Sequence, residues 1–176
     1  MPGNLLMIWR KSMAEQSGKS RKQSGGSRPY QSQLEEFVLY LDENLCNCRP
    51  VLDALISNSV RYERHLQHFA SGTPDRDWLP FVGQQHWVLL TRDQNIRYQG
   101  IEHTLVIRYN IREFVFKAGN LNKEDLATVL MLALPQMKRV CQKYEPPFIA
   151  TITKLGVVNM RYDKNGPLHG RFAPKQ

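Results

Sequence analysis

Short apolar runs alternate with helix-type segments through the body of this chain, and this alternation limits the possible folds more than any other feature. The predicted strands are residues 37–41, 60–66, 87–91 and 112–117, followed by a hairpin over 148–163 that turns at Leu155-Gly156. The predicted helices are residues 47–58, 72–86, a short helix within 97–109, and 121–144. Strands that alternate with helices form a mostly parallel sheet with helices on its faces. The fold class is therefore α/β.

Two of the predicted helices carry start signals. The helix over 72–86 is predicted to have Thr73 as its cap and Pro74 at its first helical position, which places Asp75 in its first turn. The longest helix is predicted to begin at a cap near Asn122 and to kink at Pro135. Both starts point acidic side chains at the positive end of a helix dipole.

Composition divides the chain into a neutral body and two basic ends. The net charge is +8, and residues 1–33 hold six Lys or Arg against one acid. That segment is rich in Ser, Gly, Gln and Lys, a composition that buries too little apolar surface to fold. We therefore expect a disordered basic extension at 1–33, one folded domain at 34–163, and a short basic tail at 164–176.

The chain carries few signs of export. Its three cysteines are too few for a disulfide framework, and the apolar N-terminal stretch is too short for a secretory signal. No segment approaches the roughly 20 apolar residues that span a membrane. The expected location is the cytoplasm.

Acidic side chains follow two buried strands and open one helix. Asp42 ends the first strand, Asp93 follows the strand at 87–91, and Asp75 begins a helix. Glu43, Asp77 and Asn95 lie one or two positions from these acids. The carboxyl ends of parallel strands meet at one edge of a sheet, where ligands bind. Converging carboxylates stay ionised around a cation, and oxygen ligands suit Mg²⁺ or Mn²⁺.

Each acid also has a structural interpretation. An Asp after a strand is commonly a turn residue, and Asp75 and Asp77 both suit a helix N-terminus. The joint pattern favours a metal site, with Asp42, Asp75, Asp93, Asp77, Asn95 and Glu43 as its candidate residues. Glu43 is expected to face away from the site or to lie behind it, because neighbouring residues that leave a strand point in opposite directions.

Four segments carry a family resemblance. They are "LYLDENLC", "TPDRDWLPFVGQQHWVLLTRDQNIR", "GNLNKEDLATVLMLALPQM" and "PPFIATITKLGVVNMRY". Over about residues 36–162 the chain resembles PIN-like domains of the VapC type, the toxins of toxin–antitoxin pairs. The resemblance implies a three-layer α/β/α fold and RNA cleavage that depends on Mg²⁺ or Mn²⁺. It places the catalytic acids at Asp42, Asp75 and Asp93, with Asp77 as the second choice for the helix position.

The resemblance has one departure. A fourth acid that often follows the third by two residues is matched by the neutral Asn95. This leaves open whether the site holds one ion or two. The resemblance further implies RNA and a cognate antitoxin protein as partners, with a homodimer left open.

Other polar residues have weaker claims on function. Arg92 and Arg97 flank Asp93 and could contact RNA phosphates, or could be solvated surface side chains. Thr91 could assist RNA binding, orient a ligand carboxylate, or simply end its strand. A pair of histidines, His65 and His68, would share a face only on a helix, and their region is predicted to be a strand.

Two other functions compete with a ribonuclease. Asn95 is compatible with a PIN-like module that has weakened catalysis and binds RNA or a protein partner. An acid pair after the first strand, an acid after the third and Lys117 after the fourth also suggest a receiver domain for phosphorylation. In that fold the lysine would follow the fifth strand, so the receiver hypothesis fits less well.

Overall fold

The computed structural model of the protein describes residues 37–92, 101–117 and 121–168. Its strands are β1 (Val38–Leu41), β2 (Arg61–Arg64), β3 (Val88–Thr91), β4 (Arg112–Phe116), β5 (Phe148–Ile152), β6 (Val158–Asp163) and β7 (Gly166–Pro167). Its helices are α1 (Arg49–Ser57), α2 (His65–His68), α3 (Asp75–Gln84), α4 (Ile101–Arg108) and α5 (Lys123–Lys143). Within the described ranges, no helix is both long enough and apolar enough to cross a membrane.

The described strands form one sheet in the order β2-β1-β3-β4-β5-β6-β7. Strands β1 to β5 run parallel to their neighbours, and β6 and β7 are antiparallel. The predicted mostly parallel α/β sheet is confirmed, and so is the terminal hairpin of β5 and β6. The short strand β7 was not predicted. It lies in the predicted C-terminal tail, of which residues 164–168 are described, whereas the predicted extension at 1–33 lies outside the described residues.

Helices cover both faces of the sheet, so the α/β/α layering is also confirmed. The α1/α5 face buries Leu39, Leu41 and Leu90 beneath helices α1 and α5, which pack on each other. The α3/α4 face buries Tyr40 and Leu89 beneath helices α3 and α4. Side chains alternate between the faces because successive residues of a strand point in opposite directions. The same strands therefore build two separate cores.

The predicted start of α3 is wrong by one residue. Pro74 is the N-cap in extended conformation, and Asp75 is the first helical residue. The hydroxyl of Thr73 donates to the carbonyl of Ala70 at 2.7 Å, so this side chain is used in the preceding loop and does not cap the helix. In α5 the prediction is confirmed, because the Asn122 side chain accepts a hydrogen bond from the Asp125 amide at 2.7 Å.

The predicted strand at 60–66 is wrong at its end. Strand β2 stops at Arg64, which pairs with the last residue of β1, Leu41. The Gln67 side chain then accepts a hydrogen bond from the Arg64 amide at 3.0 Å and caps the short helix α2. His65 and His68 therefore lie on one helical turn, which the sequence did not predict.

Candidate functional site

A cavity of about 130 Å³ lies beside the carboxyl ends of β1 and β3. Strand β2 pairs with one side of β1, and β3 pairs with the other side. The strand order of the sheet therefore reverses at β1. Ligands of open parallel sheets bind at such a reversal. Four carboxylates line the cavity: Asp42, Glu43, Asp75 and Glu113. We call this space the acidic cavity.

Asp42 is the first residue after β1, and its side chain is held from two directions. Its backbone amide donates a hydrogen bond to the Leu90 carbonyl of β3 at 3.2 Å. This bond fixes the point at which the side chain leaves the sheet. Oδ1 accepts from the Leu45 amide at 3.0 Å, and Oδ2 accepts from the Thr91 hydroxyl at 2.5 Å. The residue is only 6 % exposed. Asp42 is therefore a rigid, nearly buried carboxylate at the cavity.

The start of α3 supplies the second carboxylate. Asp75 is half-buried, and its Oδ1 accepts a hydrogen bond from the Trp78 indole at 3.0 Å. Asp77 is exposed, lies 3.8 Å from the Arg76 guanidinium, and is not among the residues that line the acidic cavity. Because Asp75 and Asp77 are about 200° apart on a helix, only one of them can face the sheet edge. That residue is Asp75.

Glu43 lies at the rim of the cavity and binds a neighbouring loop. Its carboxylate accepts hydrogen bonds from the Ser71 hydroxyl and from the Gly72 amide, the latter at 2.9 Å. These bonds, that of Ser71 first, hold the pKa of Glu43 below its usual range. The side chain is exposed. Glu43 therefore fastens the loop before α3 to the end of β1.

Glu113 was missed by the sequence analysis as a site residue. It is the second residue of β4, pairs with Leu89 and has no exposed surface. Its side chain lines the acidic cavity together with Asp42 and Asp75. The signal was an acid inside an apolar run, "REFVF", since a Glu is almost never fully buried in a strand without a partner or a function.

A buried Tyr–His pair lies beside the cavity, and its histidine lines the cavity wall. The hydroxyl of Tyr40 and Nδ1 of His65 lie 3.0 Å apart, and His65 lines the acidic cavity. Burial, followed by the charges of Cys46 and Asp42, raises the pKa of Tyr40 far above its usual range. His65 was also missed, because its region was predicted to be a strand.

The remaining predicted residues are placed as follows. Thr91 is 2 % exposed and donates to Asp42, which is the orienting role that the sequence left open for it. Arg92 is half-buried, and its Nη2 donates to the Leu121 carbonyl at 2.9 Å.

Three of the predicted site residues lie outside the described residues: Asp93, Asn95 and Arg97. That Asp93 joins Asp42 and Asp75 stays a prediction.

The donors at the cavity suit a hard divalent cation in type. Asp42 and Asp75 offer carboxylate oxygens, which are the ligands that Mg²⁺ and Mn²⁺ prefer. Among the described residues no three His, Cys, Asp or Glu side chains are grouped so that they could hold a metal ion. The described residues therefore offer carboxylates of the right type but do not by themselves form a metal site of three such ligands.

The arrangement at the strand ends bears on the receiver hypothesis. The order β2-β1-β3-β4-β5 is typical of receivers and of other doubly wound folds, so it does not separate the alternatives. Lys117 follows β4, whereas a receiver would need its lysine after β5. Among the described residues, no observation favours the receiver hypothesis over a metal site in the acidic cavity.

One comparison with known proteins gave a match. Residues 37–118 match a family model described as a PIN-like domain. The matched segment contains β1 to β4 and all four carboxylates of the acidic cavity. Neither the curated proteins nor the solved structures gave a match. The family match, together with the mixed α/β sheet, supports a PIN-like domain, a nuclease-type fold, at residues 37–118.

Proposed function

We propose that this protein is an endoribonuclease that depends on Mg²⁺ or Mn²⁺. The observation that carries the proposal is the placement of Asp42 and Asp75, from two different elements, in one cavity at the reversal point of a PIN-like sheet. Carboxylates that line the same cavity repel each other, which favours a cation between them and a substrate that brings phosphate oxygens.

In this proposal Asp42, Asp75 and Asp93 hold the ion, with Asn95 and Glu43 as further candidates, whereas the exposed Asp77 lies outside the cavity lining and is not a ligand. A divalent ion, when bound, lowers the pKa of its water and neutralises charge on the phosphate. The chain's own groups keep the ligands in place: Thr91 and the Leu45 amide hold Asp42, and the Trp78 indole holds Asp75. Such fixed orientation is what a catalytic carboxylate needs.

The finer proposals concern the biological setting. We infer that the protein is the toxin of a toxin–antitoxin pair, that it acts in the cytoplasm, and that its antitoxin or a second copy of the chain is its protein partner. Arg92, Arg97 and the basic ends would attract RNA through its phosphates, which makes the affinity decrease with salt. Support for the toxin role is the resemblance of the four segments described above.

The experiment is an RNA cleavage assay with matched variants. Single-stranded RNA is incubated with the protein in Mg²⁺, in Mn²⁺ or in a chelator. The Asp42→Asn and Asp75→Asn variants should each lower the rate by at least about 100-fold, as expected for the loss of a catalytic group. Asp77→Asn, on the same helical turn but outside the cavity lining, is the control and should stay close to the wild-type rate. Cleavage that survives the chelator or both variants would refute the proposal.

One observation favours a second candidate, a PIN-like module that binds RNA or a partner without efficient cleavage. Asp42 is nearly buried, and each of its carboxylate oxygens already accepts a hydrogen bond. A ligand would have to share those oxygens with Leu45 and Thr91. The same assay separates the candidates, because a binding module would retain RNA in a gel-shift measurement while leaving it intact.

A further inference from the structure

His65 has one ring nitrogen that the described residues leave without a partner. The side chain is 2 % exposed, its Nδ1 faces the Tyr40 hydroxyl at 3.0 Å, and its Nε2 is buried without a hydrogen bond to any described residue. Buried polar atoms are paired in the great majority of native proteins. Because His65 is one of the residues that line the acidic cavity, its nitrogen without a partner among the described residues points to a ligand there.

The sheet register explains why this histidine reaches the site. Leu41 and Arg64 are the last paired residues of β1 and β2, so Asp42 and His65 are each one step beyond the same pair. Both residues line the acidic cavity. The ring is held in place by edge-on packing against Trp78, with centroids 5.4 Å apart, and by a tilted contact with Phe69 at 5.6 Å. It is a fixed group beside the carboxylates.

The partner of Nδ1 identifies which nitrogen carries the hydrogen. Tyr40 has no exposed surface, and a tyrosine hydroxyl carries its hydrogen at neutral pH. Within the described part of the chain, Nδ1 of His65 is the one hydrogen-bond partner of that hydroxyl. A buried hydroxyl uses its single hydrogen, so Tyr40 donates and Nδ1 accepts. Nε2 therefore carries the hydrogen and is a donor.

We propose that the Nε2–H of His65 donates a hydrogen bond to a phosphate oxygen of RNA bound at the acidic cavity. This inference rests on the proposed ribonuclease function and adds a substrate-binding residue to it. The carboxylates of the cavity can only accept hydrogen bonds, so they cannot hold a phosphate directly. A hydrogen-bond donor beside them supplies what they lack, and Tyr40 is its positioning residue.

The first measurement concerns the free protein and needs no activity. In protein labelled with ¹⁵N-histidine, the long-range ¹H–¹⁵N spectrum should show His65 as the Nε2–H form. The Tyr40→Phe variant removes the hydroxyl that selects this form and should change the His65 pattern. A wild-type spectrum with the hydrogen on Nδ1 would overturn the proposal, whatever the protein does to RNA.

The second measurement separates binding from cleavage. Affinity for a short fluorescent single-stranded RNA is measured in Mg²⁺ by anisotropy in the cleavage-deficient Asp42→Asn background. Adding His65→Leu should weaken binding by about 10- to 100-fold, the usual cost of losing a hydrogen bond to a charged group. His65→Gln, whose amide can replace the Nε2 donor, should recover most of that loss. His68→Gln is the matched control, because His68 is on the same helical turn but pairs with Glu63 at 2.9 Å.

The outcomes are distinguishable. Equal binding by the Asp42→Asn protein with and without His65→Leu would overturn the role of His65 and leave the ribonuclease proposal standing. An equal loss in the Leu and Gln variants would show that His65 acts through packing, and it would also overturn the proposal. Absence of both RNA binding and RNA cleavage in the wild-type protein would refute the ribonuclease function and this inference with it.

Discussion

The α1/α5 face and the α3/α4 face of the sheet use alternate residues of the same strands, yet they differ in chemistry. In β3, Leu90 lies on the α1/α5 face within an apolar cluster, and its neighbour Leu89 lies on the α3/α4 face at the edge of the acidic cavity. The first face is filled mainly by aliphatic, Phe, Met and Cys side chains and buries Arg112 near Cys141, whereas the second buries Tyr40, His65 and Glu113.

This difference indicates that the two faces of the sheet have different roles. The core cluster of the α1/α5 face is mostly apolar and can pack to the density of an ordinary core. The α3/α4 face keeps space and polar groups beside the strand ends, and buried polar groups contribute less to stability than apolar packing does. We therefore expect stability to depend mainly on the first face and activity on the second.

The largest expected effect comes from truncating the two neighbouring leucines of β3. Leu89 and Leu90 are at most 1 % exposed, so the same amount of apolar surface is lost in each variant. Leu90→Ala should lower the free energy of unfolding by about 4 to 5 kcal/mol, because a tightly packed core cannot close over the gap. Leu89→Ala should cost about 2 to 3 kcal/mol, because its site already borders open space. Urea unfolding of both variants measures the difference. Equal losses would show that the two faces are packed alike.

A smaller change in stability is expected from Asp42→Asn, which tests whether the site acid is also structural. The amide can still accept from the Leu45 backbone, but the charge that strengthens this bond and the Thr91 bond is lost. The free energy of unfolding should fall by about 1 to 2 kcal/mol while RNA cleavage is abolished. Thermal unfolding without metal is compared with that of Asp77→Asn, which should differ little from wild type. An unfolded Asp42→Asn protein would instead assign this acid to the fold alone.

The sequence predicted the layers and the edge that holds the site, because these follow from local patterns. An apolar run that ends in Asp42 and a helix that opens with Asp75 are visible without knowledge of the strand order. The choice between Asp75 and Asp77 was not determined by the sequence, because it depends on which face of α3 packs on the sheet. The buried residues Trp78, Leu79 and Val82 define that face.

Glu113 and His65 could not be found from their own segments. Every residue of β4 is buried, so burial does not show that Glu113 in particular faces a cavity. That depends on its pairing with Leu89 and on the position of α3 across the sheet. His65 joins the site because β2 ends level with β1, a consequence of strand register that one segment does not encode. Long-range pairing, more than propensity, therefore decides these two residues.

The smallest expected effect concerns Glu43, at the junction between the rim of the acidic cavity and the loop before α3. Its lowered pKa arises first from the Ser71 hydroxyl and then from the Gly72 amide, so the folded state favours the charged carboxylate. An unfolded Glu titrates near pH 4.5, the ordinary value for this group. The stabilisation is therefore complete above that pH and is lost as the pH falls through the lower pKa of the folded state.

The difference in melting temperature between wild type and Glu43→Gln should be small, constant above about pH 5, and should shrink below pH 4.5. Ser71→Ala should remove most of the same pH dependence, because it removes the main partner of the carboxylate. A difference that persists unchanged at pH 3 would show that Glu43 holds the loop through packing and not through its charge.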